Sequence, residues 1–250
     1  MAGHSQFKNI MHRKGAQDAK KAKQFTKLIR EITTSVRSGQ KDPNFNPRLR
    51  AAIANARTAN LPKDRIETAI KKGSSTHEGD NFDEIRYEGY APGGVALIVE
   101  TLSDNKNRTA SDIKSCFSKN DGHIAEPGSV SYMFDRIGLV IFERANLDTE
   151  VMLETVIEAG ADECTSENST HEIICAPDHF NKVRDHLAKK FGDPVLARLS
   201  WKPKNFIEVT EVEVAESLLK LIDMLEDNDD VQYVCGNYLI VDEIANKIKI

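Results

Sequence analysis

Lysine and arginine side chains crowd the first third of the chain, and their chemistry is the binding of phosphate. Residues 1–73 hold 17 Lys and Arg against 5 Asp and Glu, a net of +12, whereas residues 74–250 hold 17 against 34, a net of −17. A basic block attracts polyanions because it releases counterions from phosphates, and the acidic remainder limits where a nucleic acid can lie. The charge distribution favours nucleic-acid binding at the basic end, although a solvated basic helix would give the same count.

The spacing of apolar residues between positions 17 and 38 predicts an amphipathic helix. Its apolar stripe consists of Phe25, Leu28, Ile29, Ile32 and Val36. The opposite side carries the cations Lys20, Lys23, Lys27, Arg30 and Arg37. One side of this helix is therefore expected to pack against the protein and the other to contact phosphates.

Two further helices follow, one opened by Asn46 and Pro47 and one running from Pro62 to Gly73. The last of them carries cations that suit phosphates, with almost no Asn or Gln to read base edges, so sequence-specific reading of the major groove is disfavoured. The expected nucleic-acid-binding residues are His4, Lys8, His12, Arg13 and Lys14 in an N-terminal arm, Lys20, Lys23, Lys27, Arg30 and Arg37 in the first helix, Arg48 and Arg50 in the second, Lys63 and Arg65 in the third, and Lys106 and Arg108 further along.

Other chemically capable residues form no recognisable catalytic or metal site. The glycine-rich segment 89–94 lacks the spacing of a phosphate loop, and His171-Glu172 resembles a zinc-protease motif but has Cys175 at the position of the second histidine. His179 and His186 have no supporting ligand nearby. The four cysteines have no C-x-x-C spacing and are predicted to be reduced thiols: Cys116, Cys164, Cys175 and Cys235. We expect no catalytic residue, no metal and no cofactor.

The elements that follow the basic helices alternate between strand and helix. Residues 136–203 follow the order β-α-β-β-α-β, which is that of a ferredoxin-like sandwich. The elements on either side, which include predicted strands at 94–102, 129–134 and 205–210, can complete a second one. The expected fold class is α+β: an N-terminal three-helix bundle followed by two ferredoxin-like α/β sandwich domains, the third domain inserted into the second. The expected boundaries are 1–73, 82–135 plus 204–240, and 136–203.

The apolar runs are far shorter than the ~20 residues that a bilayer requires, and the start has no secretory signal pattern. The chain is therefore expected to be cytoplasmic, without a membrane or a small-molecule substrate as partner, and to act as a monomer. A dense set of carboxylates between positions 211 and 230 is expected to form a solvated acidic helix or a surface that repels nucleic acid.

Several motifs resemble those of the YebC family over nearly the whole chain. The matching segments include Gly3-His4-Ser5, the run from His12 to Lys20, the run from Phe25 to Ile32, Asp42-Pro43-Asn44, the run from Asn46 to Arg50, Pro62-Lys63-Asp64, the run from Tyr87 to Tyr90, the run from Pro92 to Ala96, Asn107-Arg108-Thr109 and Gly128-Ser129-Val130. The family includes transcriptional regulators and a mitochondrial translational activator of cytochrome c oxidase subunit one.

This resemblance implies a three-domain protein that acts in gene expression without catalysis. The first expectation is a transcriptional regulator that binds DNA through its basic N-terminal domain. A ribosome- or RNA-associated translation factor is the alternative, because the basic residues favour phosphate contacts over base reading. A protein–protein adaptor that uses the acidic domains is a third possibility.

Overall fold

The computed structural model describes residues 17–75, 82–144, 147–167 and 169–248. The helices are α1 (Gln17–Ser38), α2 (Pro47–Thr58), α3 (Lys63–Ser74), α4 (Lys106–Lys119), α5 (Thr149–Ala159), α6 (Phe180–Phe191), α7 (Val212–Glu226) and α8 (Asp242–Lys247). The strands are β1 (Asp83–Tyr90), β2 (Ala96–Ser103), β3 (His123–Ala125), β4 (Phe134–Glu143), β5 (Glu163–Ser166), β6 (Thr170–Cys175), β7 (Leu196–Pro203), β8 (Ile207–Val209), β9 (Val231–Gly236) and β10 (Tyr238–Ile240).

The helical region forms because each helix has an apolar side and a defined end. Helix α2 begins as predicted, since the Asn46 side chain accepts a hydrogen bond from the Leu49 N–H at 3.0 Å and Pro47 occupies the first helical position. Helix α3 ends against α1: a Cβ on Gly73 would lie 2.7 Å from the Thr33 carbonyl oxygen. Glycine at this position therefore permits the close approach of the two helices.

Strands β4 to β7 form a sheet in the order β5-β6-β4-β7. This is the strand order of a ferredoxin-like sandwich, as the sequence predicts. Helices α5 and α6 cover one side of the sheet and enclose a core of Val140, Phe142, Met152, Ile173 and Leu187 among others.

A second sheet has the order β3-β1-β2-β9, and its neighbouring strands are antiparallel. Helices α4 and α7 pack on it around a core that includes Leu97, Val99, Phe117, Leu218 and Leu221. This antiparallel sheet, its two helices and the helical region together confirm the α+β fold class.

The inner strand of this second sheet differs from the sequence interpretation. The segment around 205–210 was expected to complete the sheet, but β8 pairs in parallel with β10 in a separate two-stranded sheet. Strand β1 takes the inner place because the turn at Gly93 and Gly94, with φ of 74° and 73°, lets β1 and β2 pair along their whole length. Residues 129–133 are also not a strand; a 3-10 turn at Ser131–Met133 precedes β4.

The described residues group into two compact units that are each discontinuous in sequence. One unit contains residues 28–75 and 136–201, and the other contains residues 17–27, 82–135 and 202–248. The division falls within α1, between Lys27 and Leu28. The three domain boundaries expected from the sequence stay a prediction.

Candidate nucleic-acid interface

The cations in the first half of α1 contact the acidic end of α7. The Lys23 Nζ lies 3.0 Å from the Asp227 carboxylate, and the Lys27 Nζ donates a hydrogen bond of 2.6 Å to the Glu226 carbonyl oxygen. Burial lowers the pKa of Lys27, and the nearby charges of Glu226, Asp229 and Asp227 oppose this effect only in part. The acidic helix foreseen in the sequence is thus a partner of these lysines within the protein.

Further along α1 and in α2, the expected site residues also have partners. Arg30 and Arg37 are half-buried and each interacts within the protein. Arg48 forms a two-pronged ion pair with Glu31, in which Nε and Nη2 lie 2.7 Å and 3.1 Å from the two carboxylate oxygens.

Arg50 has a structural role. Its Nη2 lies 2.8 Å from the Asp185 carboxylate, and its Nη1 donates to the Pro43 carbonyl oxygen at 2.6 Å. The neighbouring Arg184 is almost completely buried and donates to the same carboxylate and to the Pro47 carbonyl oxygen. These contacts join the start of α2 to α6.

Helix α3 and the last turn of α2 present cations to solvent. Arg57, Arg65 and Lys71 are exposed and pair with no carboxylate among the described residues. The Lys63 side chain is 91% exposed and lies 3.8 Å from the Glu67 carboxylate. Lys72 is exposed as well. We call Arg57, Lys63, Arg65, Lys71 and Lys72 the α3 basic surface.

Only Lys63 and Arg65 of this surface belong to the expected site residues. Arg57, Lys71 and Lys72 were left out, although the helical period placed them away from the apolar side of their helices. The buried side of α3 is formed by Ile66, Ala69 and Gly73, and the cations lie outside it.

Lys106 and Arg108 stand at the start of α4. The Lys106 Nζ lies 3.4 Å from the Asp83 carboxylate. The Arg108 Nη2 lies 2.8 Å from Asp230 and 2.6 Å from Asp104, and these hydrogen bonds raise the pKa of the guanidinium. Asp230 is buried, so Arg108 fixes the start of α4 against the β9 end of the sheet.

The remaining expected site residues belong to the N-terminal arm and the start of α1. His4, Lys8, His12, Arg13 and Lys14 lie outside the described residues. Lys20 lies within α1, and the structure describes its backbone but not its side chain.

Other chemically capable side chains form no metal cluster within the described ranges. No group of three or more His, Cys, Asp or Glu side chains there is arranged to hold a metal ion. All four cysteines are free, and burial raises the pKa of Cys175 to about 11. The buried His171 ring lies in β6 and contacts the Ser166 hydroxyl at 2.7 Å. None of the helices in the described parts is long and apolar enough to span a bilayer.

The fold therefore places the chain among α+β proteins of several domains that start with a helical region. Family models agree: "TACO1/YebC protein N-terminal domain" matches residues 5–76, and "TACO1/YebC second and third domain" matches residues 82–238. The chain belongs to the TACO1/YebC family, which confirms the resemblance seen in the sequence. Membership supports a regulator-type function.

A solved structure is similar over almost the full length. It is the crystal structure of a conserved hypothetical protein, Aq1575, from Aquifex aeolicus. The TM-score is 0.86 at 42% sequence identity, and the match covers 94% of this chain and 97% of that chain.

Proposed function

We propose that this chain is a non-enzymatic regulator of gene expression that binds nucleic acid through the phosphate backbone. The observation that carries the proposal is the α3 basic surface, whose five cations are exposed and of which Arg57, Arg65 and Lys71 pair with no carboxylate among the described residues. Many other expected cations have partners. Lys23, Lys27 and Arg50, for example, hold the fold together instead. Exposed Lys and Arg side chains contribute most of the binding free energy when they contact phosphates, because binding releases the counterions of the nucleic acid.

The rest of the chain supports this assignment of the binding surface. Residues 74–250 carry a net charge of −17, which repels a polyanion from most of the protein. A nucleic acid is therefore directed to the basic helices.

The surface suits backbone contacts better than base reading. Asp64 and Glu67 are interspersed with the cations of α3, and carboxylates disfavour insertion into a groove lined by phosphates. Thr68 follows Glu67 as an uncharged polar residue, and its hydroxyl donates to the Asp64 carbonyl oxygen. Structured RNA, such as that of a ribosome, is thus the favoured target, because proteins recognise it largely through its shape, phosphates and 2′-hydroxyls. Operator DNA is the second candidate.

Charge reversal on the full chain tests the proposal. The variant Arg65→Glu/Lys71→Glu should bind a structured RNA and a duplex DNA at least about tenfold more weakly in fluorescence anisotropy at ~0.1 M salt. The matched control is Lys182→Glu/Lys189→Glu, which makes the same change in net charge on exposed positions of α6. The affinity of the control variant for either probe should fall by less than about threefold.

Equal losses in the two variants would mean that net charge alone governs binding. No loss in the first variant would exclude α3 as the binding surface. A wild-type preference of about a thousandfold for one DNA sequence over other duplexes would favour a promoter-specific regulator over the RNA target.

A further inference from the structure

Phe45 is the most exposed large hydrophobic side chain in the described part of the chain, with 70% of its surface open to solvent. It lies in the linker between α1 and α2, where Asp42, Pro43 and Asn44 precede it. Contact with water is unfavourable for an aromatic ring, so a fold that holds it outward gives up the stabilisation that burial would bring.

The backbone around Phe45 is fixed by hydrogen bonds. The Phe45 N–H donates to the Asp42 carbonyl oxygen at 3.1 Å, and the Asn44 N–H donates to the Asp42 carboxylate at 2.9 Å. Arg50 donates to the carbonyl oxygens of Pro43 and Asn44.

The next residue anchors the linker to the helices. The Asn46 side-chain amide donates to the carbonyl oxygens of Ser35 and Gln40, at 2.7 Å each. Asn46 is itself buried. The exposed ring of Phe45 is therefore presented from an ordered loop whose position is set before any partner arrives.

The surroundings of this ring are polar and partly cationic. Lys41 is exposed, and the side chains of Arg48 and Arg50, which are paired with Glu31 and Asp185, are still 37% and 36% exposed. The start of a helix adds partial positive charge. An apolar protein partner would meet one isolated ring here, because the other residues of the linker are Gly, Gln, Lys, Asp, Pro and Asn.

We propose that Phe45 is a stacking platform for an unpaired base of a bound RNA, with the adjoining phosphate placed beside the start of α2. The inference rests on the proposed function and narrows it, because it makes an unpaired nucleotide part of the target. Aromatic side chains stack on any base, and the loss of one such contact typically weakens binding by about 5- to 150-fold.

The test compares two RNA probes that share a stem. One is a hairpin with an unpaired loop, and the other is a blunt duplex of the same length. In the full chain, Phe45→Ala should weaken binding to the hairpin at least about fivefold and change binding to the duplex by less than about twofold. Tyr132→Ala is the matched control, because Tyr132 is also an exposed aromatic residue, at 65%, outside the α1–α2 linker. It should leave both affinities unchanged.

A second variant reports on stacking directly. Phe45→Trp should keep the affinity for the hairpin, and its added indole emission should be quenched by the hairpin and not by the duplex. This readout remains valid if Phe45→Ala proves less stable in thermal unfolding.

The outcomes separate the two proposals. If the wild type binds neither RNA probe, the RNA target of the proposed function is wrong, and stacking on an RNA base is wrong with it. If the wild type binds both and Phe45→Ala binds the hairpin equally well, stacking is wrong and Phe45 is left for another partner, such as a protein pocket. Equal weakening on hairpin and duplex would also overturn stacking.

Discussion

At the scale of single residues, Glu88 shows how a buried carboxylate can hold a loop. It is 3% exposed and accepts hydrogen bonds from the N–H groups of Val130 and Ser131 at 2.8 Å and 3.0 Å. Burial alone would raise the pKa of Glu88, but the hydrogen bonds from Val130, Gly128 and Ser131 together outweigh it and lower the pKa.

We expect Glu88→Gln to make stability less sensitive to acid. Because the pKa of Glu88 is lower in the folded state, its ionised form stabilises the fold above the unfolded pKa, and this stabilisation is lost as the pH falls through the folded pKa. At pH 7 the free energy of unfolding of the variant should be about 1.5–3 kcal/mol lower than that of the wild type. Urea unfolding at several pH values should show the gap between wild type and variant closing below about pH 4. Glu126→Gln, an exposed residue of the same loop, should show no such gap.

Lys27 also has a lowered pKa, but here the cause is burial, which disfavours the charged form. Because the pKa of Lys27 is lowered in the fold, the unfolded chain binds more protons between the folded pKa and the ordinary lysine value of 10.5. Stability therefore rises with pH in that range. Relative to Lys27→Met, the wild type should therefore gain free energy of unfolding between pH 7 and pH 10. Lys27→Glu should cost more than about 2 kcal/mol at pH 7, because it places a carboxylate beside the acidic end of α7. A Lys27→Glu variant as stable as the wild type would contradict the contact with Glu226.

The sequence could predict which residues carry charge but not which of them are already engaged. Lys63 and Arg65 are exposed on α3, as the sequence indicates, because their neighbours in sequence define the buried side. Lys27 looked equivalent, yet its acceptor at Glu226 lies 199 residues away and no local pattern indicates it.

At the scale of elements, Asn55 links α2 to the edge strand β7. Its side chain both donates to the Ala197 carbonyl oxygen at 2.9 Å and accepts from the Ala197 N–H at 3.0 Å, as a neighbouring strand would. Thr58 on the same helix donates to the Pro194 carbonyl oxygen. Strand β7 is last in its sheet, so these contacts cover backbone groups that would otherwise be unpaired.

We expect Asn55→Ala to destabilise the protein by about 1–3 kcal/mol, because it leaves the buried Ala197 N–H and carbonyl without partners. Arg57→Ala, an exposed change two residues along the same helix, should stay within about 0.5 kcal/mol of the wild type. Urea denaturation of the two full-length variants provides the comparison. The reverse ranking would mean that α2 does not support β7.

Local signals explain which elements were predictable. The Asn46-Pro47 pair predicts the start of α2. The alternation of strand and helix predicts the order of β4 to β7 in their sheet. The sequence prediction for β8 named the wrong sheet, because a strand of three residues is too short to indicate its pairing partner. The inner place belongs to β1, which forms a hairpin with β2 whose geometry depends on two glycines with positive φ.

At the scale of the whole molecule, the charge asymmetry should govern how affinity depends on salt. If four to five cations of the α3 basic surface contact duplex phosphates, log affinity should fall against log salt with a slope of about −4. The variant Arg65→Glu/Lys71→Glu should reduce that slope by about 2. Anisotropy titrations of a DNA duplex between ~50 and ~200 mM salt measure both values. A slope near zero for the wild type would contradict phosphate binding.

The Asn55 contact also has a consequence for biosynthesis. Asn55 precedes Ala197 by 142 residues, so at roughly 5–20 residues per second the helix that covers β7 leaves the ribosome about 7–28 s before the strand does. When β7 emerges, helix α2 is therefore already available to cover it. Neighbouring nascent chains on the same messenger RNA then have no unpaired strand edge with which to pair. A rearranged chain in which residues 17–75 follow position 203 would reverse this order, and we expect it to aggregate more during translation than the natural arrangement.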